Sequence, residues 1–269
     1  MPNILKRTIF GALFVAITCF MVLFGNGGLC ALYMLVCGTI MLSEFMKMFK
    51  MSNLDRFMVD VIGTYPIFAI ILYHYHDLLW VFLPILPLIL ICFIIHLFTK
   101  ETKQEEHLGK SFLALIYIAL PLSIATYIGM TDNQLIMATF ILIWVSDTMA
   151  YLVGCKFGKH KIFERISPKK SWEGAIGGFV FTITAAAFGG YLFPKLGFEV
   201  WQWCVIGAMV GIFGILGDFI ESMFKRSAGV KDSGNLIPGH GGLLDRLDSF
   251  IFTIPWVAIA VWVMRSFNG

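Results

Sequence analysis

The sequence predicts an all-α integral membrane protein with about nine transmembrane helices. Hydrophobic residues make up 58% of the 269 residues, charged residues only 14%, and the mean hydropathy is +0.83. Soluble domains carry about 25% charged residues, so this composition excludes an ordinary soluble domain. Several apolar stretches reach the roughly 20 residues that a helix needs to cross a bilayer. The basic residues also fall in alternate connections between these stretches.

Each predicted span is an apolar run that ends at a charged or turn-forming connection. In chain order the runs are 9–24, 28–48, 57–74, 78–98, 109–128, 134–154, 175–193, 201–224 and 249–267. Several runs contain proline, which membrane helices tolerate because neighbouring helices can satisfy the freed carbonyl groups. Short connections alternate with connections that carry several lysines and arginines.

All but two of the 20 lysines and arginines lie on one face of this nine-span arrangement. The two exceptions are Lys195 and Arg265. Because cytoplasmic connections are enriched in lysine and arginine, the N-terminus is predicted to be cytoplasmic and the C-terminus to be outside. The long connections after the sixth and eighth spans are then cytoplasmic, and long loops commonly carry function.

Two aspartates, Asp147 and Asp218, lie inside predicted spans, each about two helical turns from the cytoplasmic end. A carboxylate within a spanning helix costs about 2.5–3.5 kcal/mol, which favours a functional role. The alternative is structural: a buried aspartate can pair with a lysine or arginine and hold helices together.

Helical spacing groups these aspartates with other polar residues near the cytoplasmic side. The faces are Asp147 with Tyr151 and Gly154, Asp218 with Glu221, Ser222 and Lys225, and Asp245 with Asp248. Three such faces at one membrane depth favour a shared function over helix pairing. We expect a polar cavity between the sixth, eighth and ninth spans that opens to the cytoplasm.

Carboxylates beside many cations are typical of a site for a divalent metal and a polyphosphate. Mg²⁺ is commonly held by one or two carboxylates plus substrate phosphates, and lysine and arginine bind phosphate oxygens. The sequence has no P-loop, GxGxxG, HExxH, GxSxG or CxxC pattern. The histidines and cysteines are scattered, so neither a zinc site nor a disulfide framework is expected. His240, in PGHGG, fits phosphate binding or loop structure better than metal binding.

The run SMFKRSAGVKDSGNLIPGHGGLLDRLD, residues 222–248, resembles the signature of the phosphatidate cytidylyltransferases, also called CDP-diacylglycerol synthases. Its matching positions are Ser222, Lys225, Arg226, Lys231, Asp232, Gly234, Ile237, Pro238, His240, Gly241, Gly242, Asp245, Arg246 and Asp248. Two earlier segments, ISPKKSWEGAIGG at 166–178 and WVSDTMAYLVGCKFGKHK at 144–161, also resemble recurring segments of that family. Length and span number suit its bacterial type.

The resemblance implies transfer of CMP from CTP to phosphatidate, which gives CDP-diacylglycerol and pyrophosphate for phospholipid synthesis. Implied catalytic residues are Asp218, Asp245, Lys225, Arg226 and Asp248. Implied phosphate-binding residues are Lys169, Lys170, Ser222, Lys231, His240 and Arg246. Asp218 and Asp245 are expected to hold the metal, with Asp147, Asp232 and Asp248 as further candidates.

The expected cofactor is Mg²⁺, and a second, monovalent cation is left open. Expected partners are CTP, phosphatidate and membrane lipid, with no nucleic acid, and the resemblance implies a homodimer in the inner, cytoplasmic membrane. The expected organisation is a single polytopic domain over 1–269. Its parts are N-terminal helices at 1–130, catalytic helices at 134–267, and cytoplasmic loops at 155–174 and 225–248.

Two other functions are compatible with intramembrane aspartates. A cation transporter would use Asp147 and Asp218 to bind its ion, but it needs polar groups on a route to both faces, and here they crowd one side. A related CTP-dependent lipid phosphotransferase would share the metal and phosphate chemistry but should depart from the 222–248 pattern.

Overall fold

The structure is a computed structural model that describes residues 3–24, 27–99, 103–239 and 241–268, and the side chains among these except those of 3–7 and 268. Over these residues the regular structure is helical, apart from two isolated bridges, which confirms the all-α expectation. The α-helices are α1 Asn3–Leu23, α2 Gly28–Met48, α3 Asn53–His76, α4 Ile85–Phe98, α5 Gln104–Ala114, α6 Leu120–Thr131, α7 Asn133–Phe157, α8 Trp172–Ala187, α9 Gly189–Leu192, α10 Val200–Ser227 and α11 Leu244–Asn268.

Seven helical stretches among the described residues are long and apolar enough to cross a membrane. They are Gly28–Met48, Asn53–His76, Leu79–Phe98, Gln104–Thr131, Asn133–Phe157, Val200–Ser227 and Leu244–Phe267. The predicted span at 9–24 corresponds to a shorter apolar helix, Thr8–Leu23 within α1. The predicted span at 175–193 is divided between the 16-residue α8 and the single turn of α9, where two glycines weaken the helix. The count of nine and the orientation of the termini stay predictions.

The helix Gln104–Thr131 changes its winding in the middle. A π-helical turn, Leu115–Ala119, joins α5 to α6, and Pro121 follows it within the first turn of α6. Proline has no N–H to donate into the helix, so the hydrogen-bond pattern is interrupted at Pro121. A single π-helical turn inside an α-helix accommodates such an interruption without ending the helix. The run is therefore one continuous apolar helix, as its hydropathy predicts.

The chain forms two compact units. The first unit comprises Met1–Thr131 and Asp232–Arg246, and the second comprises Asp132–Lys231 and Leu247–Gly269. The loop between α10 and α11 thus belongs mostly to the first unit, although it follows directly on a helix of the second.

The first unit has its core on α2. The fully buried side chains of this helix include Met34, Met41, Leu42, Phe45 and Met46. A capping box begins α3, in which Ser52 Oγ accepts from the N–H of Asp55 at 3.1 Å. The Asp55 carboxylate is buried and also reaches two histidines, with Oδ1 3.0 Å from His96 Nε2 and Oδ2 2.7 Å from His107 Nδ1. This cluster ties α3 to α4 and α5.

The second unit holds α7, α8, α10 and most of α11 together through close packing. The rings of Phe140 and Phe250 stack with their centroids 4.2 Å apart, joining α7 to α11. Ser249 Oγ donates to the carbonyl of Gly214 at 3.0 Å, joining α11 to α10. These contacts fix the helices on which the polar residues of the second unit lie.

Candidate functional site

The polar face predicted on α10 is present in the second unit. Ser222 Oγ donates to Asp218 Oδ1 at 3.3 Å, and Lys225 forms an ion pair with Glu221 one turn away. Glu221 is fully buried and Lys225 is 9% exposed, so this pair lies away from solvent. A buried ion pair is costly unless both partners are satisfied, and such groups in spanning helices commonly mark functional sites.

The loop between α7 and α8 docks on the same part of α10. Lys170 Nζ forms an ion pair with Asp218 and lies 4.5 Å from the centroid of the Phe219 ring. The ring of Phe163 meets Phe219 edge to face, with centroids 5.1 Å apart. These contacts bring Lys170 to Asp218 from 48 positions earlier in the sequence. Lys169, next to it, is exposed.

The base of this loop is closed by Glu173, at the first turn of α8. Its Oε1 lies 2.6 Å from His160 Nδ1, and its Oε2 accepts from the N–H of Lys159 at 3.0 Å. The hydrogen bond with His160 and those from backbone N–H groups stabilise the carboxylate and lower the pKa of Glu173 from 4.5 to about 2. Glu173 is therefore ionised at neutral pH and fixes both ends of the loop.

Arg226, at the end of α10, contacts backbone rather than carboxylates. Its Nη1 donates to the carbonyl of Val230 at 3.1 Å, and its Nε donates to the carbonyl of Ile166 at 3.4 Å. The side chain is exposed, and it joins α10 to the Lys170 loop. The guanidinium thus stands at the same end of α10 as Lys225.

Further carboxylates lie in the same region of the second unit. Asp248, on α11, is 8% exposed, and the charges of Asp218, Glu221 and Asp147 act on it. Gly217 permits this proximity, because a Cβ at that position would lie 2.8 Å from the carbonyl oxygen of Asp248. Asp147 is exposed on α7. The second unit thus gathers four carboxylates with Lys170 and Lys225.

These carboxylates have the chemistry that a hard divalent cation prefers. No three His, Cys, Asp or Glu side chains of the described residues are arranged so that they could hold one metal ion. Mg²⁺ needs only one or two protein carboxylates when substrate phosphates supply the other oxygens, so Asp218 and Asp248 fit such an ion by donor type. The predicted cavity and the metal roles stay predictions.

Asp245 lies in the first unit and has structural contacts there. Its Oδ2 accepts from the N–H of Ser233 at 2.9 Å, from Ser233 Oγ at 2.9 Å and from the N–H of Gly242 at 2.7 Å. These hydrogen bonds bring the two ends of the 232–245 loop together. The metal role predicted for Asp245 stays a prediction.

Three of the remaining predicted residues lie where the chain passes between the two units. Lys231 and Asp232 are exposed where the chain passes from the second unit to the first, and Arg246 is exposed at the start of α11. His240 lies outside the described residues.

Two carboxylates of the structure, Glu173 and Glu44, are not among the site residues predicted from the sequence. Glu44 is a lone acid in an apolar span, the same signal that singled out Asp147 and Asp218, and it could have been found in that way. Glu173 lies within the quoted segment ISPKKSWEGAIGG, next to the Lys169–Lys170 pair, but only the folded loop shows what it binds.

Comparison with known proteins supplies further evidence. A model of the cytidylyltransferase family matches residues 5–264. The phosphatidate cytidylyltransferase of Staphylococcus haemolyticus (strain JCSC1435) is 44% identical over 124 residues, which are 46% of this chain and 47% of that protein. The protein of the same name from Staphylococcus aureus (strain COL) is 45% identical over 124 residues, with the same coverage. The match therefore spans about half the length of these curated relatives.

Proposed function

The chain belongs to the cytidylyltransferase family, and we propose that it transfers CMP from CTP to phosphatidate, giving CDP-diacylglycerol and pyrophosphate. The relatives named phosphatidate cytidylyltransferase support the choice of phosphatidate as acceptor. The seven apolar helices support a membrane enzyme, as an acceptor dissolved in lipid requires.

The observation that carries this proposal is the meeting of Lys170 with Asp218 in the second unit. It joins the segment at 166–178, which resembles the family, to the α10 face on which Ser222 and Lys225 of the 222–248 signature also lie. Lysines, an arginine and several carboxylates within one unit suit a reaction between two phosphate groups, whose negative charges must be neutralised.

In the proposed reaction a phosphate oxygen of phosphatidate bonds to the α-phosphorus of CTP. The bond from that phosphorus to the oxygen bridging the α- and β-phosphates breaks, and pyrophosphate leaves with the electron pair. Such a displacement depends on positioning and charge neutralisation more than on covalent chemistry by the protein. Lys170, Lys225 and Arg226 would bind phosphate oxygens, and Ser222 would donate a hydrogen bond to one of them.

The proposed cofactor is Mg²⁺, with Asp218 and Asp248 as the residues that would hold it. When bound, the ion would neutralise phosphate charge beside the lysines. Lys170 would then have two partners, the Asp218 carboxylate and the substrate phosphate. We also propose an inner-membrane location and a homodimer, both from the family resemblance.

The deciding experiment uses the purified chain in detergent with Mg²⁺, radiolabelled CTP and phosphatidate. We expect labelled CDP-diacylglycerol, and we expect Asp218→Asn and Lys170→Met to lose about 100-fold or more in kcat/KM, as for the loss of a transition-state contact. Lys195→Met is a matched control, because Lys195 is an exposed lysine remote in sequence from both motifs. No product with phosphatidates of several acyl compositions would refute the proposal.

A further inference from the structure

Glu44, near the end of α2, binds the start of α11 within the first unit. The residue is 8% exposed, its Oε1 accepts from the N–H of Leu243 at 3.0 Å, and its Oε2 accepts from the N–H of Leu244 at 2.9 Å. N–H groups at the start of a helix have no partner within the helix, and the helix dipole favours an anion there. These contacts join residues about 200 positions apart, so they hold the loop on a rigid helix of the core.

The same carboxylate also reaches the other end of the loop. Ser233 Oγ lies 3.3 Å from Glu44 Oε2 and 2.9 Å from Asp245 Oδ2. A hydroxyl has one proton, so Ser233 can donate to only one of these carboxylates at a time and stands between them. Asp245 also accepts from the N–H of Gly242. Glu44 and Asp245 therefore both hold the two ends of the 232–245 loop together.

The glycines of this loop leave room for Glu44. A Cβ at Gly242 would lie 2.5 Å from Glu44 Oε2, and a Cβ at Gly234 would lie 2.7 Å from Glu44 Oε1. Any larger side chain would push the carboxylate away from the N–H groups of Leu243 and Leu244. The segment is thus shaped around this one acid.

We infer that Glu44 is a positioning residue that holds the 232–245 loop, and with it Asp245, to which the family resemblance gives a catalytic role, in the geometry that the reaction requires. This inference rests on the proposed function and adds a residue outside the three segments that resemble the family, 144–161, 166–178 and 222–248. Glu44 acts through the loop backbone and Ser233, and it has no role in binding phosphate. A carboxylate in a spanning helix is costly, and the hydrogen bonds of Glu44 with Leu243, Leu244 and Ser233 explain why one is kept there.

The test variant is Glu44→Gln, which keeps the size of the side chain but replaces one acceptor oxygen with an NH₂ group. That group faces a backbone N–H and cannot accept from it, so one anchor of the loop is lost. We expect kcat to fall about tenfold or more, because even a small displacement of a reacting group lowers the rate of the reaction strongly. KM for CTP should change less than about threefold, because the lysines and arginine of the second unit are untouched.

Limited trypsin digestion measures how often the loop opens, and this readout does not depend on enzyme activity. Lys231 and Arg246 are exposed trypsin sites that flank the loop. We expect cleavage at these sites to be faster in Glu44→Gln by on the order of tenfold, because the open loop becomes more populated. Glu105→Gln is the matched control, with the same chemical change at an exposed residue of the first unit.

A second variant reaches the same contact from the loop side. Gly234 is half-buried, and the atom that a Cβ there would meet is Oε1, at the end of the flexible Glu44 side chain. Gly234→Ala should therefore fold and show the same two changes. Cleavage or kcat equal to the Glu105→Gln control, in whichever of the two variants folds, overturns the inference. If the unmodified chain makes no CDP-diacylglycerol, the proposed function fails, and the cleavage rates alone decide whether Glu44 holds the loop.

Discussion

The ion pair between Lys170 and Asp218 can be measured with a double-mutant cycle of Lys170→Ala, Asp218→Ala and the double variant. The two side chains are 29% and 34% exposed, so the pair is neither buried nor fully solvated. Two unit charges 4 Å apart interact by about 4 kcal/mol at an effective dielectric of 20, but solvent screening and side-chain entropy remove most of this. We expect a coupling free energy of about 1 kcal/mol.

The expected coupling can be read as a shift of the thermal unfolding midpoint in detergent. One kcal/mol corresponds to roughly 2–4 °C in a chain of this size. Lys170→Ala alone should lose about 0.5–1 kcal/mol more, because the contact of its ammonium with the Phe219 ring disappears as well.

The matched control is the pair formed by Lys103 and Glu106, whose side chains are 73% and 46% exposed and whose charged atoms are 3.5 Å apart. Such a surface pair is worth about 0.2–0.5 kcal/mol. A coupling for Lys170 and Asp218 no larger than that of the control would refute the reasoning. The two residues would then be neighbours without a joint role in holding the loop on α10.

Three further perturbations follow from buried or constrained groups. Asp55→Asn should lower the free energy of unfolding by about 2–3 kcal/mol, since the buried carboxylate loses its hydrogen bond with His107, measured as a lower unfolding midpoint. The pKa of Glu173 is lowered to about 2, so its stabilisation is complete above pH 4.5 and is lost as pH falls towards 2. Unfolding midpoints should therefore fall less between pH 4.5 and 2 in Glu173→Gln than in the unmodified chain. Gly217→Val should lower the unfolding midpoint and the activity together, because its side chain would displace Asp248.

Each of these expectations has a control or a contrary outcome. Glu106→Gln is the control for Asp55→Asn, because Glu106 is an exposed acid of the same unit. Equal unfolding midpoints for the two variants would show that the contacts of Asp55 with His96 and His107 contribute no stability. Parallel pH curves for the unmodified chain and Glu173→Gln would contradict the lowered pKa. Gly217→Ala adds a single Cβ and should give a smaller loss than Gly217→Val, so equal losses would argue against steric displacement.

The amino-acid sequence was sufficient to predict the class of the fold. Apolar runs near 20 residues and the segregation of lysine and arginine depend only on local composition, because the bilayer acts on each helix separately. The helical face that carries Asp218, Ser222 and Lys225 could also be predicted, since a period of 3.6 residues places them together. The expected span at 175–193 differs from the structure, where two glycines divide it into two short helices.

Only the tertiary structure shows which distant residues meet. Lys170 is one of five lysines and arginines between α7 and α8, and nothing in the spacing singles it out until the loop folds onto Phe219 and Asp218. Glu44 lies about 200 residues before the N–H groups that it accepts from. Hydropathy and periodicity report on the surroundings of a helix, whereas these pairings depend on how separate helices pack. The sequence therefore determined the membrane class and the polar faces, and packing decided which carboxylates hold the loops.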